Sequence, residues 1–261
     1  MIDLIGPRGL RPGSVHLTHH PIPHVDGFRA VRTYIPKRWR DNDPPRPLLI
    51  MFDGQNVFDD APSFAGGWHL DRAVERLARV RRPAPIVIAI DHGNERRLSE
   101  LSFRATSFGP PKLDPLVDWI ADQLTAAARR QFSVTEGVSQ VLLGGSSMGG
   151  LAALYGHMRR PEVFGGALAM SPSLFMANRA IFDEAARLPR PWVSRVYLDA
   201  GKREARGHLA KDTERFATLL AEKGWRLGSD LQHRVDPRGS HNEKSWRRRA
   251  TTALRFVLDR T

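Results

Sequence analysis

The sequence of 261 residues predicts an α/β fold, with a mostly parallel central sheet, antiparallel N-terminal strands and helices on both faces. Three observations predict it. Two alternating segments near the N-terminus give way to continuous apolar runs, segments of helical period separate those runs, and the runs end in turn residues. With 41% hydrophobic residues the chain can bury one large core, so residues 1–261 are read as a single domain.

The elements follow in order. SVHLTHHPIP and FRAVRTYIP alternate apolar and polar residues, as outer antiparallel strands do, whereas PLLIMFDG and APIVIAID are solid apolar runs suited to buried parallel strands. Between the last two, HLDRAVERLARV spaces Leu70, Ala73, Val74, Leu77 and Ala78 at helical intervals. PLVDWIADQLTAAARRQF puts Leu116, Ile120, Leu124 and Ala127 on one helix face, with Pro115 in the first turn. Then come the strand QVLLGG, the helix MGGLAALYGHM, the strands GALAMS and RVYLDAG in succession, and the helix LAKDTERFATLLAEKG. The strand DLQHRVD and a helix through Leu258 close the chain. Sites in such sheets lie at the carboxyl ends of the strands.

Composition excludes several chemistries. Without cysteine there is no disulfide framework, thiolate metal site or cysteine nucleophile. The net charge of +12 invites a nucleic-acid partner, but the basic residues are dispersed among acids and only Lys37, Lys112, Lys202, Lys211, Lys223 and Lys244 are lysines. An arginine-biased composition accounts for the charge, and no nucleic-acid partner is expected. MIDLIGPRGLRPGSVHL lacks a charged region followed by an apolar one, and no run approaches the roughly 18 apolar residues of a membrane span. A cytoplasmic protein without membrane contact is expected. His16, His19, His20 and His24 sit on alternating faces of a strand with no third ligand type at suitable spacing, so neither a metal nor another cofactor is expected.

VLLGGSSMGGLAALY carries the chemistry. A nucleophile elbow turns a strand sharply into a helix and leaves no room for side chains two residues either side of its serine. Gly145-Ser146-Ser147-Met148-Gly149 meets that demand only with Ser147 at the centre, because Ser146 would have Met148 two residues on. The Met148 amide, at the helix N-terminus, would face a developing oxyanion. In such a sheet the partners follow as acid and then histidine. His157 lies in the elbow's own helix, His208 opens a helix and His233 lies in a strand, which leaves His241 in the loop PRGSHNEKSW. Asp199 and Glu204 both suit the acid, and spacing alone leaves the choice open.

These residues resemble the putative esterase family of α/β-hydrolases, which includes enterochelin esterases, feruloyl and acetyl esterases and mycolyltransferases. The likeness runs from about residue 45 to the C-terminus, on MFDGQNVFDDAPSFAGGWHLDRA, IVIAIDHGNERRLSEL, the elbow, DAGKREARG and RGSHNEKSW. The resemblance implies an α/β-hydrolase fold and a serine esterase working through an acyl-enzyme on a small-molecule ester. It maps the acid onto Glu204, giving Ser147, Glu204 and His241 as the catalytic set, and the second oxyanion donor onto the backbone N–H of Gln55. Asp53 pins that loop, and Trp68 and Arg97 are expected to line the substrate pocket. An acyltransferase acting on a sugar or polyol, and a catalytically dead basic binding protein, are the alternatives.

Overall fold

The computed structural model describes residues 2–23, 25–40, 42–63, 65–80, 84–191 and 193–259, so His24 lies outside the described residues. One sheet of eight strands organises them, in the order β1-β2-β4-β3-β5-β6-β7-β8. β1 (Val15–Ile22) and β2 (Val25–Tyr34) are antiparallel, and β2 is antiparallel to β4 (Ile86–Ile90). From there every neighbour is parallel: β4 with β3 (Leu48–Phe52), then β5 (Val141–Ser146), β6 (Gly166–Met170), β7 (Arg195–Gly201) and β8 (Leu231–Asp236). The shift from alternating to solid apolar sequence therefore marks the shift from antiparallel to parallel pairing.

The pleat sorts each buried strand between two cores. Leu48, Ile50 and Phe52 of β3 face one and Leu49 and Met51 the other, as a side-chain period of two requires. The first core lies under α3 (Leu113–Trp119), α4 (Thr125–Gln131), α5 (Met148–Arg159), α6 (Met176–Arg187) and α7 (His208–Glu222). The second lies under α1 (Leu70–Arg79) and α8 (Glu243–Leu258). A short helix, α2 (Arg97–Glu100), follows β4. On β1, His16, Thr18 and His20 are buried on one face while Leu17 and His19 are exposed on the other, so these histidines divide between faces. No cluster of three or more metal-binding side chains occurs among the described residues, and no helix there is long and apolar enough to cross a membrane.

Two elements differ from the sequence reading. β6 and β7 are not joined directly: parallel neighbours need a crossover, and α6 supplies it. Its start is irregular, with Ala177, Asn178 and Arg179 in left-handed conformation, which obscures any helical period. The segment expected to run from Pro115 begins at Leu113, and a π turn over Ile120–Leu124 interrupts it, where the Thr125 hydroxyl donates to the Ile120 carbonyl at 2.9 Å.

Candidate active site

Ser147 is the single residue between β5 and α5, and its backbone is left-handed at φ 56° and ψ −120°. A non-glycine residue held there stores strain that the surroundings must enforce. They do so with little space to spare. A Cβ on Gly145 would come within 2.5 Å of the Gly149 carbonyl carbon, and one on Gly149 within 2.9 Å of an Asp53 carboxylate oxygen. Those two glycines thus let the elbow close on itself and against the loop after β3. The Ser147 N–H donates to the Met170 carbonyl, and its side-chain oxygen is hydrogen-bonded to that of Ser173, 3.1 Å away. Met148 opens α5, where the first amides have no partner within the helix.

Gln55 lies in the turn Gly54–Asn56. Its side chain accepts from the His92 N–H at 3.3 Å. Asp53, left-handed and almost fully buried, anchors that turn by accepting two bonds from Arg97, from Nε and Nη2, each at 2.7 Å. Burial alone would pull the Arg97 guanidinium down, and the Asp53 pair more than offsets it. The Nε–Nη2 edge of the guanidinium is committed to Asp53, so this residue orders the Gln55 loop. Glu100 of the same segment pairs with Arg29 and accepts from the Gly93 N–H. Trp68 also departs from expectation. Only 2% exposed, its ring packs 5.9 Å from that of Trp246 in the second core, so it supports the site from beneath and presents no surface to a substrate.

His241 lies in the loop between β8 and α8. Its Nδ1 is 3.0 Å from Glu204 Oε2, with the histidine side chain 38% exposed and the glutamate side chain sealed at 0%. Its ring packs in a T-shaped pair with that of Trp246, the centroids 5.1 Å apart and the planes at 82°. Glu204 Oε1 accepts from the Gly201 N–H at 2.9 Å and the Ser171 hydroxyl at 2.8 Å. Asp199, the rival acid, is engaged elsewhere. It is fully buried, takes a two-pronged bond from Arg249 at 2.7 and 3.1 Å, and accepts from the Tyr197 hydroxyl and the Ser171 N–H. Burial pushes its carboxyl up, opposed by the Arg249 charge. Glu243, two residues beyond His241, is another buried carboxyl that burial pushes up.

The loop after β6 is the feature that sequence reasoning does not find. Ser171 bonds to Glu204 and Ser173 to Ser147, so Ser171-Pro172-Ser173 touches both the acid and the serine. Its position at the carboxyl end of a parallel strand next to β5 is the signal that could have identified it. Among the described residues no hydrogen bond joins Ser147 to His241.

The other histidines after the elbow have separate tasks. His208 begins α7, and His233 bonds to Thr213. His157 is fully buried, with Nδ1 donating to the Phe164 carbonyl at 2.8 Å and Nε2 2.6 Å from the Ser194 hydroxyl. Burial pushes it down from 6.5 to about 4. The unfolded chain therefore binds a proton that the folded one refuses. Its stabilising contribution is complete above 6.5 and is lost as pH falls toward about 4. We expect about 3 kcal/mol of acid destabilisation from this group, measurable as the fall in urea midpoint between those limits and absent from His157→Gln.

Comparison with known proteins gives the geometry its context. The model of the family described as "Putative esterase" matches residues 24–257, beginning some twenty residues before the resemblance visible in the motifs. An uncharacterized protein of Bacillus subtilis is 24% identical over 248 residues, covering 90% of this chain and 94% of its own length. The iron(III) enterobactin esterase of Dickeya dadantii is 27% identical over 238 residues, 84% of this chain. The enterobactin esterase of Shigella flexneri has the same fold, with a TM-score of 0.76 at 19% identity over 95% of this chain. The chain spans 49% of the Dickeya esterase and 62% of the Shigella chain.

Proposed function

As the chain belongs to the "Putative esterase" family, whose members hydrolyse carboxylic esters, we propose that it does so through an acyl-enzyme formed on Ser147. The observation that carries this reading is the positive-φ serine at the carboxyl end of a central parallel strand, with a histidine bonded to a sealed glutamate in the loops after the carboxyl ends of its parallel neighbours. Glu204 accepts from His241 Nδ1–H, which leaves the lone pair of the neutral imidazole on Nε2. On substrate binding the Ser147 hydroxyl turns from Ser173 to that nitrogen, a rearrangement in keeping with the loose catalytic hydrogen bonds of unliganded enzymes. His241 takes the proton as the serine oxygen attacks the ester carbonyl, and the Met148 and Gln55 amides receive the negative oxygen. The imidazolium then protonates the departing alcohol, and the neutral ring activates water to release the acid.

The substrate we propose is an oxygen-rich ester of the siderophore type, the class on which the enterobactin esterases act. A cavity of about 380 Å³ beside Gln55, lined among others by His19, Phe28, Pro62, His92 and Arg96, supports it. It sets the His19 and His92 imidazoles around an exposed phenyl ring, which suits aromatic groups bearing oxygen acceptors. A series of nitrophenyl esters assayed beside a siderophore trilactone tests the reading. We expect kcat/KM for the trilactone to exceed that for nitrophenyl acetate at least ~100-fold, since binding energy away from the reacting bond raises it. Equal values would remove the siderophore assignment, and no hydrolysis of any ester would remove the enzyme reading.

A further inference from the structure

Ser171 directly follows β6, is fully buried, and is held left-handed at φ 44°. Its hydroxyl has three partners: Trp246 Nε1 at 3.0 Å, Arg249 Nη2 at 3.1 Å and Glu204 Oε1 at 2.8 Å. A hydroxyl has one proton and two lone pairs, whereas an indole N–H and a guanidinium N–H can only donate. Both lone pairs are therefore taken, and the single proton has one destination, Glu204 Oε1. With the Gly201 N–H on the same oxygen, Oε1 is filled by donors and Oε2 is left to His241.

We propose that Ser171 is a positioning residue that holds Glu204 with Oε2 turned to His241 Nδ1 and through it fixes the orientation of the imidazole. The order of donors runs from Trp246 and Arg249 through Ser171 to Glu204 Oε1, which turns Oε2 toward His241. There a carboxylate can only accept from Nδ1–H, and the basic lone pair is left on Nε2. Asp199 completes the arrangement, because its two bonds to Arg249 hold the guanidinium where Nη2 reaches Ser171 and stops 3.9 Å from Glu204. Without the hydroxyl the carboxylate keeps only the Gly201 N–H on Oε1 and loses a charge-assisted bond, so it and the imidazole are held less firmly. The inference rests on the proposed roles of Ser147 and His241.

The test measures kcat and KM for ester hydrolysis against pH in Ser171→Ala, Ser171→Gly and Trp246→Phe, with the low-field proton NMR signal of His241 Nδ1–H in each. We expect both Ser171 variants to lower kcat ~10- to 100-fold, as loss of a hydrogen bond to a charged group does, with KM within about twofold. The acid limb of the rate profile should move and the Nδ1–H signal shift or vanish. Trp246→Phe frees one lone pair and lets the hydroxyl turn, so a smaller loss with the same signature is expected. The glycine variant discriminates, because it relaxes the left-handed backbone. If Ser171 served only that backbone, Ser171→Gly would keep its kcat, acid limb and signal, and that result overturns the proposal. Should the position-171 variants fail to fold, unchanged values in Trp246→Phe overturn it, and the expected loss there supports it. Ser147→Ala, assayed alongside, separates the two failures. Inactive Ser147→Ala with unaffected Ser171 variants removes this inference alone, whereas active Ser147→Ala removes the catalytic reading beneath it.

Discussion

Replacing Ser147 with alanine is expected to reduce ester hydrolysis ~10⁴- to 10⁶-fold while leaving the fold intact, in line with removal of an activated nucleophile from other serine hydrolases. The expected loss is that large because no nearby group can substitute. Ser146 is buried on β5, and Ser173, although 3.1 Å from the Ser147 hydroxyl, belongs to the loop after β6 and not to the elbow. A fluorophosphonate should label the native protein and not this variant. Retention of more than about one part in a hundred of the native rate by a labelling-negative Ser147→Ala protein would exclude the acyl-enzyme.

The two buried acids should respond in opposite ways. Glu204→Gln preserves shape and the bonds from Gly201 and Ser171, but puts an amide opposite His241 Nδ1, so a folded protein with kcat reduced ~10³- to 10⁴-fold is expected. Asp199→Asn leaves Arg249 buried with its main charge partner gone, and breaking such a pair costs about 3–5 kcal/mol. Its urea midpoint should fall steeply, while the protein that remains folded loses no more activity than the ~10- to 100-fold expected of the Ser171 variants, well short of the loss in Glu204→Gln. A stable, inactive Asp199→Asn beside an active Glu204→Gln would transfer the role of acid to Asp199.

What the sequence reveals and conceals here follows from the range of the interactions involved. The elbow is legible because its constraint is local: Gly145 and Gly149 meet within five residues. The buried strands are legible for the same reason, since burial on both faces leaves a solid apolar run. α6 is hidden because its first turn is left-handed and its buried contacts few, with Ile181, Glu184 and Ala185 the buried residues. Trp68 beside Gly66-Gly67 reads equally well as a pocket wall or a core ring, and only its contact with Trp246, from the far end of the chain, decides. Choosing between Asp199 and Glu204 likewise depends on Arg249, fifty residues beyond Asp199, whose guanidinium claims the nearer acid. Ser171 has no local signature, because its role exists only where β6, β7 and α8 meet.

The loop bearing His241 is fastened at both ends to the first turn of α8. Asn242 caps the helix by accepting from the Ser245 N–H at 3.0 Å, and the Ser245 hydroxyl accepts from the Ser240 N–H at 3.0 Å. The histidine thus belongs to the same cooperative unit as the helix that carries Trp246 and Arg249 into the protein interior. A histidine on a free loop would be lost to local fraying well below the melting temperature. This one can leave its station only when α8 itself detaches, so heat inactivation and global unfolding coincide, and resistance to the first is raised by stabilising the second.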